Sequence, residues 1–214
     1  TVFIEQEYSK FVFGEDYERL DTLIGVLSPA AGTFVMDDAK SSMPIEPVGF
    51  NDTNELITGV TYIKAPEYVK MIETILGKEN FVRALDSYHT EYKHSNASSS
   101  QWIDCMQDFT DVDLHDFSKK WLKDAGYPKV SGEYSLDSGN FIFKLRQSNA
   151  SADDFWKFPL KMALFDSSGH KFFEHEYFVF EPNFEIEIQN VNDLGFVSVN
   201  RDLSFFGKVI FDRS

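Results

Sequence analysis

Apolar residues recur at helical spacing through roughly the first 127 positions and at alternate positions through the remainder. Val2, Phe3, Tyr8, Phe11 and Val12 predict an opening helix with no capping residue before it. Asp16 is placed to cap a second helix, through Tyr17, Leu20, Leu23, Ile24 and Leu27. Ser28-Pro29 ends it, because a residue before proline avoids the helical region. From Ala30 to Asn54 the period fades among Gly32, Pro44, Pro47 and Gly49, which predicts a long loop. Glu55 to Leu76 regains helical spacing through Leu56, Val60, Ile63, Val69, Ile72 and Leu76, and Pro66 predicts a kink or a fresh start inside it. After the Gly77 stop come helices over Lys78 to Tyr92, over Gln101 to Phe109 behind a serine cap, and from Asp113 through Leu114, Phe117, Trp121 and Leu122. Gly126 and Pro128 close the last one.

Beyond Pro128 short alternating runs predict strands at 141–146, 160–165, 177–180, 184–188, 196–199 and 208–211. The breaks between them, such as Asp137-Ser-Gly-Asn and Asp166-Ser-Ser-Gly, carry turn chemistry. About seven strands at this spacing point to a small antiparallel β-sandwich. The expected fold class is therefore α+β, with a helical domain over 1–127 and a β-sandwich over 128–214.

Composition narrows the function classes. Of 214 residues, 20 are Lys or Arg and 35 are Asp or Glu, a net charge of −15 that repels phosphate backbones and anionic lipid, so no nucleic-acid or membrane partner is expected. The single Cys105 excludes a disulfide framework and any multi-cysteine metal site, and it fits a reducing, cytoplasmic setting. The chain opens on Thr1 inside an element, with no initiator Met and no basic leader, which raises the expectation of further sequence upstream.

Three collinear blocks are more specific. Thr1-Val2-Phe3-Ile4-Glu5-Gln6-Glu7-Tyr8-Ser9 resembles the segment that follows the third zinc ligand in M1-family (gluzincin) aminopeptidases, close to the bacterial aminopeptidase N branch. Gly59-Val60-Thr61-Tyr62-Ile63-Lys64-Ala65-Pro66, with Leu76-Gly77-Lys78-Glu79-Asn80-Phe81 after it, resembles that family's Tyr-x-Lys-Gly/Ala block. Val112-Asp113-Leu114, Phe117, Trp121 and Gly126-Tyr127-Pro128 are similar to the end of its catalytic domain. The resemblance implies the helical C-terminal part of a thermolysin-like catalytic domain followed by a sandwich domain. It also implies that the HExxH helix, its general-base Glu and the third ligand Glu lie upstream. Zinc is then expected in the intact enzyme, acting on peptide substrates, and none is expected on this chain, which alone would be inactive. An upstream catalytic half, and a further C-terminal helical domain, would complete the enzyme.

On that resemblance Tyr62 is the candidate catalytic residue, its hydroxyl donating to the oxyanion of the tetrahedral intermediate; without the resemblance it reads as a core tyrosine. Glu5 is read either as a carboxylate orienting a ligand histidine or as a solvated helix residue. Glu7 and Lys64 are weaker candidates. His175-Glu176 begins like a zincin motif, yet Val179 stands where the second His is needed and the segment alternates like a strand, so an exposed pair is expected. His89, His94, His115 and His170 read as surface histidines. Asn51, Asn96 and Asn149 open glycosylation triplets without an accompanying leader, and the 22 Phe read mainly as core. The alternative function is a free-standing, non-catalytic helical plus β-sandwich binding module. The enzyme reading differs from it in expecting an apolar helical face left open for the rest of the catalytic domain.

Overall fold

The computed structural model describes residues 1–30, 32–38, 42–148 and 150–211. The chain divides into two compact units, Thr1–Gly126 and Tyr127–Ser214.

The first unit is helical: α1 Val2–Phe13, α2 Glu15–Leu27, α3 Thr33–Asp37, α4 Gly59–Leu76, α5 Lys78–Glu91, α6 Ser99–Gln107 and α7 Leu114–Lys123. Its centre is α4, which packs on α1, α2, α3 and α5. Tyr68, Met71 and Ile72 are buried there, Tyr68 stacks on Phe117 of α7, and the Tyr68 hydroxyl meets Ser118 Oγ at 2.6 Å. The α7 helix forms as its sequence predicts. The Asp113 carboxylate caps the Asp116 amide at 2.9 Å, and Leu114, Phe117, Trp121 and Leu122 are all buried. Ser98 caps α6 in a reciprocal capping box with Gln101.

Three helical expectations need correction. The cap of α2 is Gly14, whose φ of 95° makes the sharp corner out of α1; Asp16 lies inside the helix. The expected loop over 30–54 contains α3, too short to show a period. A 3₁₀ turn, Thr53–Leu56, also precedes α4, so the helix starts at Gly59 rather than Glu55. Of the two readings of Pro66, the fresh start is overturned: α4 runs through it, with the Tyr62 carbonyl deprived of the amide that residue 66 would have offered.

The second unit is a sandwich of a four-stranded sheet, β5-β2-β1-β7, and a three-stranded sheet, β4-β3-β6. In chain order the strands are β1 Lys129–Asp137, β2 Asn140–Gln147, β3 Phe158–Phe165, β4 Lys171–Val179, β5 Asn183–Ile188, β6 Phe196–Val199 and β7 Lys208–Phe211. The sheet is not purely antiparallel, because β1 and β7 pair in parallel, Val130 opposite Val209. The inward residues are Phe141, Phe143 and Leu145 of β2 and Phe158, Leu160, Met162 and Leu164 of β3, all buried. β1 is absent from the predicted strands because Ser131, Gly132 and Ser135 dilute its pattern. The structure explains Gly132: a Cβ there would stand 3.0 Å from the Phe143 ring.

Asn200 holds the turn before β7. It sits in the left-handed region (φ 53°), donates from Nδ2 to the carbonyls of Phe205 and Gly207, and accepts from the Phe205 amide and the Ser204 hydroxyl. This loop delivers Phe205 against Phe158, ring centroids 4.0 Å apart. Asn200→Ala removes all four bonds and places an ordinary residue at positive φ, so a loss of about 2–3 kcal/mol is expected. Urea titration measures it, and a loss below about 0.5 kcal/mol, the size of a plain surface change, would deny Asn200 this role.

Candidate functional site

Tyr62 lies in the first turns of α4. That start is fixed by Thr58, whose Oγ1 accepts from the Thr61 amide at 3.3 Å, and by Thr61 Oγ1, which donates to the Leu56 carbonyl at 2.8 Å. Gly59 lets α3 approach closely, since a Cβ there would meet Met36 Sδ at 2.7 Å. The Tyr62 ring is 53% exposed, and no hydrogen bond to its hydroxyl exists among the described residues. It is a presented phenol, not the core tyrosine that its sequence pattern alone favours.

Lys64, two residues on, is fully buried. Its Nζ donates to Asp37 Oδ2 at 3.0 Å, to the Asp124 carbonyl at 3.3 Å and to the Gly126 carbonyl. Asp37 Oδ1 accepts from Ser42 Oγ at 2.6 Å and from the Gly126 amide at 2.9 Å. Burial pulls the Lys64 amine below its ordinary pKa, with Asp37 and Asp124 opposing. One turn further, Glu67 accepts two parallel bonds from buried Arg19 of α2, at 2.8 and 2.9 Å. Neither partner, Asp37 or Arg19, figures among the residues singled out from sequence. The available signal was the stripe Val60, Lys64, Glu67, Met71: two charges at core positions of a helix must have partners.

Between α1, α2 and α4 lies a second group of charges. Glu7 pairs with Lys10, and Thr22 Oγ1 donates to Glu18 at 2.7 Å. The half-buried Glu73 carboxyl is held above the usual carboxylate range by burial and then by Glu7, against Lys10, Lys78 and Lys70. A carboxyl raised in the folded state favours folding fully only below its unfolded value, and that contribution is lost as pH rises through the folded value. Glu73→Gln is therefore expected to raise the unfolding midpoint at pH 7 and to change nothing below about pH 4. A loss at pH 7, or an equal gain at both pH values, would contradict that sign.

Glu5 is exposed on α1, and among the described residues no hydrogen bond joins it to Tyr62. His175 is exposed on strand β4 with its ring against Tyr177, centroids 4.6 Å apart. His115 and His170 pair with Asp104 and Asp166. Among the described residues no three His, Cys, Asp or Glu side chains group so as to hold a metal ion, so a zinc ion does not fit this set of residues. Asn51 and Asn96 are exposed; Asn149 lies outside the described residues. The described residues contain no helix long and apolar enough to cross a membrane.

An α-helical unit built around one long helix with a presented tyrosine, followed by a β-sandwich, defines the class: the chain matches the Peptidase family M1 domain over residues 1–121, and it belongs to that family. It is 28% identical over 176 residues to aminopeptidase N of Escherichia coli and 26% identical over 178 residues to aminopeptidase N of Haemophilus influenzae, covering 79% and 80% of this chain. The tricorn protease-interacting factor F2 of Thermoplasma acidophilum is 28% identical over 198 residues, or 88% of the chain. The crystal structure of Legionella pneumophila aminopeptidase A in complex with aspartic acid matches the whole chain with a TM-score of 0.79 at 19% identity, a likeness of fold, over 23% of that protein. The chain spans about a fifth of the length of both aminopeptidase N relatives and 24% of the factor F2.

Proposed function

We propose that this chain is part of a zinc metallo-aminopeptidase that removes N-terminal residues from peptides, with Tyr62 as its oxyanion donor. The observation that carries the reading is the Tyr62 hydroxyl, uncommitted and presented from a capped helix start, within a chain of family M1. A neutral phenol aimed at the carbonyl oxygen forms its strongest hydrogen bond when that oxygen becomes an alkoxide, so it stabilises the transition state more than the ground state. The metal ligands and the general base belong, on this reading, to residues outside these 214. Residues 1–127 form the end of the catalytic domain and 128–214 the sandwich domain that follows. Glu5 orients a ligand histidine from its exposed position on α1.

The exposed stripe Ile4, Tyr8 and Phe11 on α1, with Tyr17, Leu20, Ile24 and Leu27 on α2, supports the same reading. Such a face is what a helical unit offers to the remainder of a larger domain. A buried free thiol at Cys105 and the net charge of −15 favour a cytoplasmic enzyme without nucleic-acid or membrane partners.

The test is expression of the complete coding sequence beside the 214-residue chain. The complete protein is expected to hold stoichiometric zinc and to cleave aminoacyl anilides, and the isolated chain to do neither. Tight stoichiometric zinc and cleavage by the isolated chain, surviving repurification, would overturn the reading, as would an inert, zinc-free complete protein.

A further inference from the structure

We propose that the buried Lys64–Asp37 ion pair is a positioning device for Tyr62. It fixes the turn of α4 that bears the phenol, and so sets where the hydroxyl stands. This rests on the reading of Tyr62 as the oxyanion donor.

The need for such a device lies in Pro66. With no amide at that position, the Tyr62 carbonyl lacks its helical partner, and the first turns of α4 are joined to the rest by one hydrogen bond fewer than an uninterrupted helix provides. Side chains make up the deficit. Thr58 and Thr61 tie the start to itself and to Leu56, and Met36 closes over Gly59.

The decisive tether is Lys64. Residues two apart on a helix leave it about 200° apart, and here Tyr62 faces outward while Lys64 is fully buried. The ammonium gathers partners from remote parts of the unit, among them the Asp37 carboxylate at the end of α3 and the carbonyls of Asp124 and Gly126 beyond α7. Asp37 binds the Gly126 amide and the Ser42 hydroxyl with its other oxygen, so its own position is set independently of Lys64. Beyond Pro66, Glu67 is held by Arg19 in the same fashion. Ion pairs therefore brace α4 on both sides of its interruption. A buried ion pair adds little net stability over a well-packed apolar pair, but it is directional where apolar contact is not. Direction is what an oxyanion donor requires, since misplacement by about 1 Å can lower a rate about a hundredfold.

The 214-residue protein carrying 3-fluorotyrosine at position 62 tests this without the metal. Lys64→Met and Asp37→Asn are expected to broaden or shift the Tyr62 fluorine resonance and to speed amide exchange at 61–65 about tenfold or more, with α5 unchanged. Lys64→Arg, which keeps the charge, is expected to perturb both less than Lys64→Met. In the complete enzyme the first two variants should lower kcat about tenfold to a hundredfold with KM within about threefold. If Lys64→Met does not fold, Asp37→Asn decides, because it preserves the side-chain shape.

An unchanged fluorine signal and unchanged exchange in a folded variant overturn the device, even if Tyr62→Phe cripples the complete enzyme. Conversely, a Tyr62→Phe enzyme of full kcat sinks the oxyanion reading while leaving any fluorine response standing.

Discussion

Arg19→Met is expected to cost the helical unit about 3–5 kcal/mol, the range for removing one member of a buried ion pair. Arg19 and Glu67 are 7% and 2% exposed, and their two parallel bonds of 2.8 and 2.9 Å join α2 to the middle of α4. Without the guanidinium, Glu67 would remain as a carboxylate stripped of water and of its donors, a cost that the surrounding packing cannot offset. The double variant Arg19→Met/Glu67→Leu is expected to regain most of the loss, ending within about 1–2 kcal/mol of the parent, since it removes the orphaned charge as well as the pair. Urea unfolding followed by the far-ultraviolet helical signal measures both. A single-variant loss below about 1 kcal/mol, the size typical of exposed pairs, would mean that the two side chains are solvated.

Which parts of the fold are legible from sequence follows from where the deciding interactions lie along the chain. α7 is read fully because everything that makes it is local: the Asp113 cap, an apolar face wide enough to be buried throughout, and a glycine in the left-handed region at 126 (φ 84°). α1 is read as a helix, yet its pattern misleads about burial. Only Phe3 is buried, while Tyr8 and Phe11 are 67% and 85% exposed, because periodicity reports an apolar face and not what covers it. β1 is lost to Gly132, whose missing side chain is explained by a ring on the neighbouring strand, and its parallel pairing with β7 joins segments nearly eighty residues apart.

The site divides in the same way. Tyr62 is found only through its resemblance block; pattern alone would bury it, and the structure presents it. Lys64 enters from sequence only as a weaker candidate of the resemblance block and Glu67 is not singled out, although both share the stripe with Val60 and Met71 that the structure buries. Which partners they take is a tertiary fact, since Asp37 is 27 residues from Lys64 and Arg19 is 48 from Glu67.

If Tyr62 is the oxyanion donor proposed above, Tyr62→Phe in the complete protein is expected to lower kcat by about 10²–10³ and leave KM nearly unchanged, the effect of deleting one such donor. The asymmetry follows from the timing of the charge: the scissile carbonyl oxygen is a weak acceptor in the bound substrate and a strong one only as the tetrahedral intermediate forms. Phe keeps the ring and removes one oxygen. With the hydroxyl unbonded to any described residue and the ring 53% exposed, nothing inside the helical unit loses a partner. The unfolding midpoint of the 214-residue chain should accordingly stay within about 0.5 kcal/mol of the parent, as for surface substitutions elsewhere. That pairing of a large kinetic loss with thermodynamic silence separates a catalytic phenol from a structural one. A core tyrosine would show the reverse, as Tyr68 is expected to: its hydroxyl is bonded to Ser118 at 2.6 Å and burial raises its pKa, so Tyr68→Phe leaves a buried hydroxyl unpaired. If Tyr62→Phe instead raised KM with kcat intact, Tyr62 would be a substrate-binding group, contacting ground state and transition state alike.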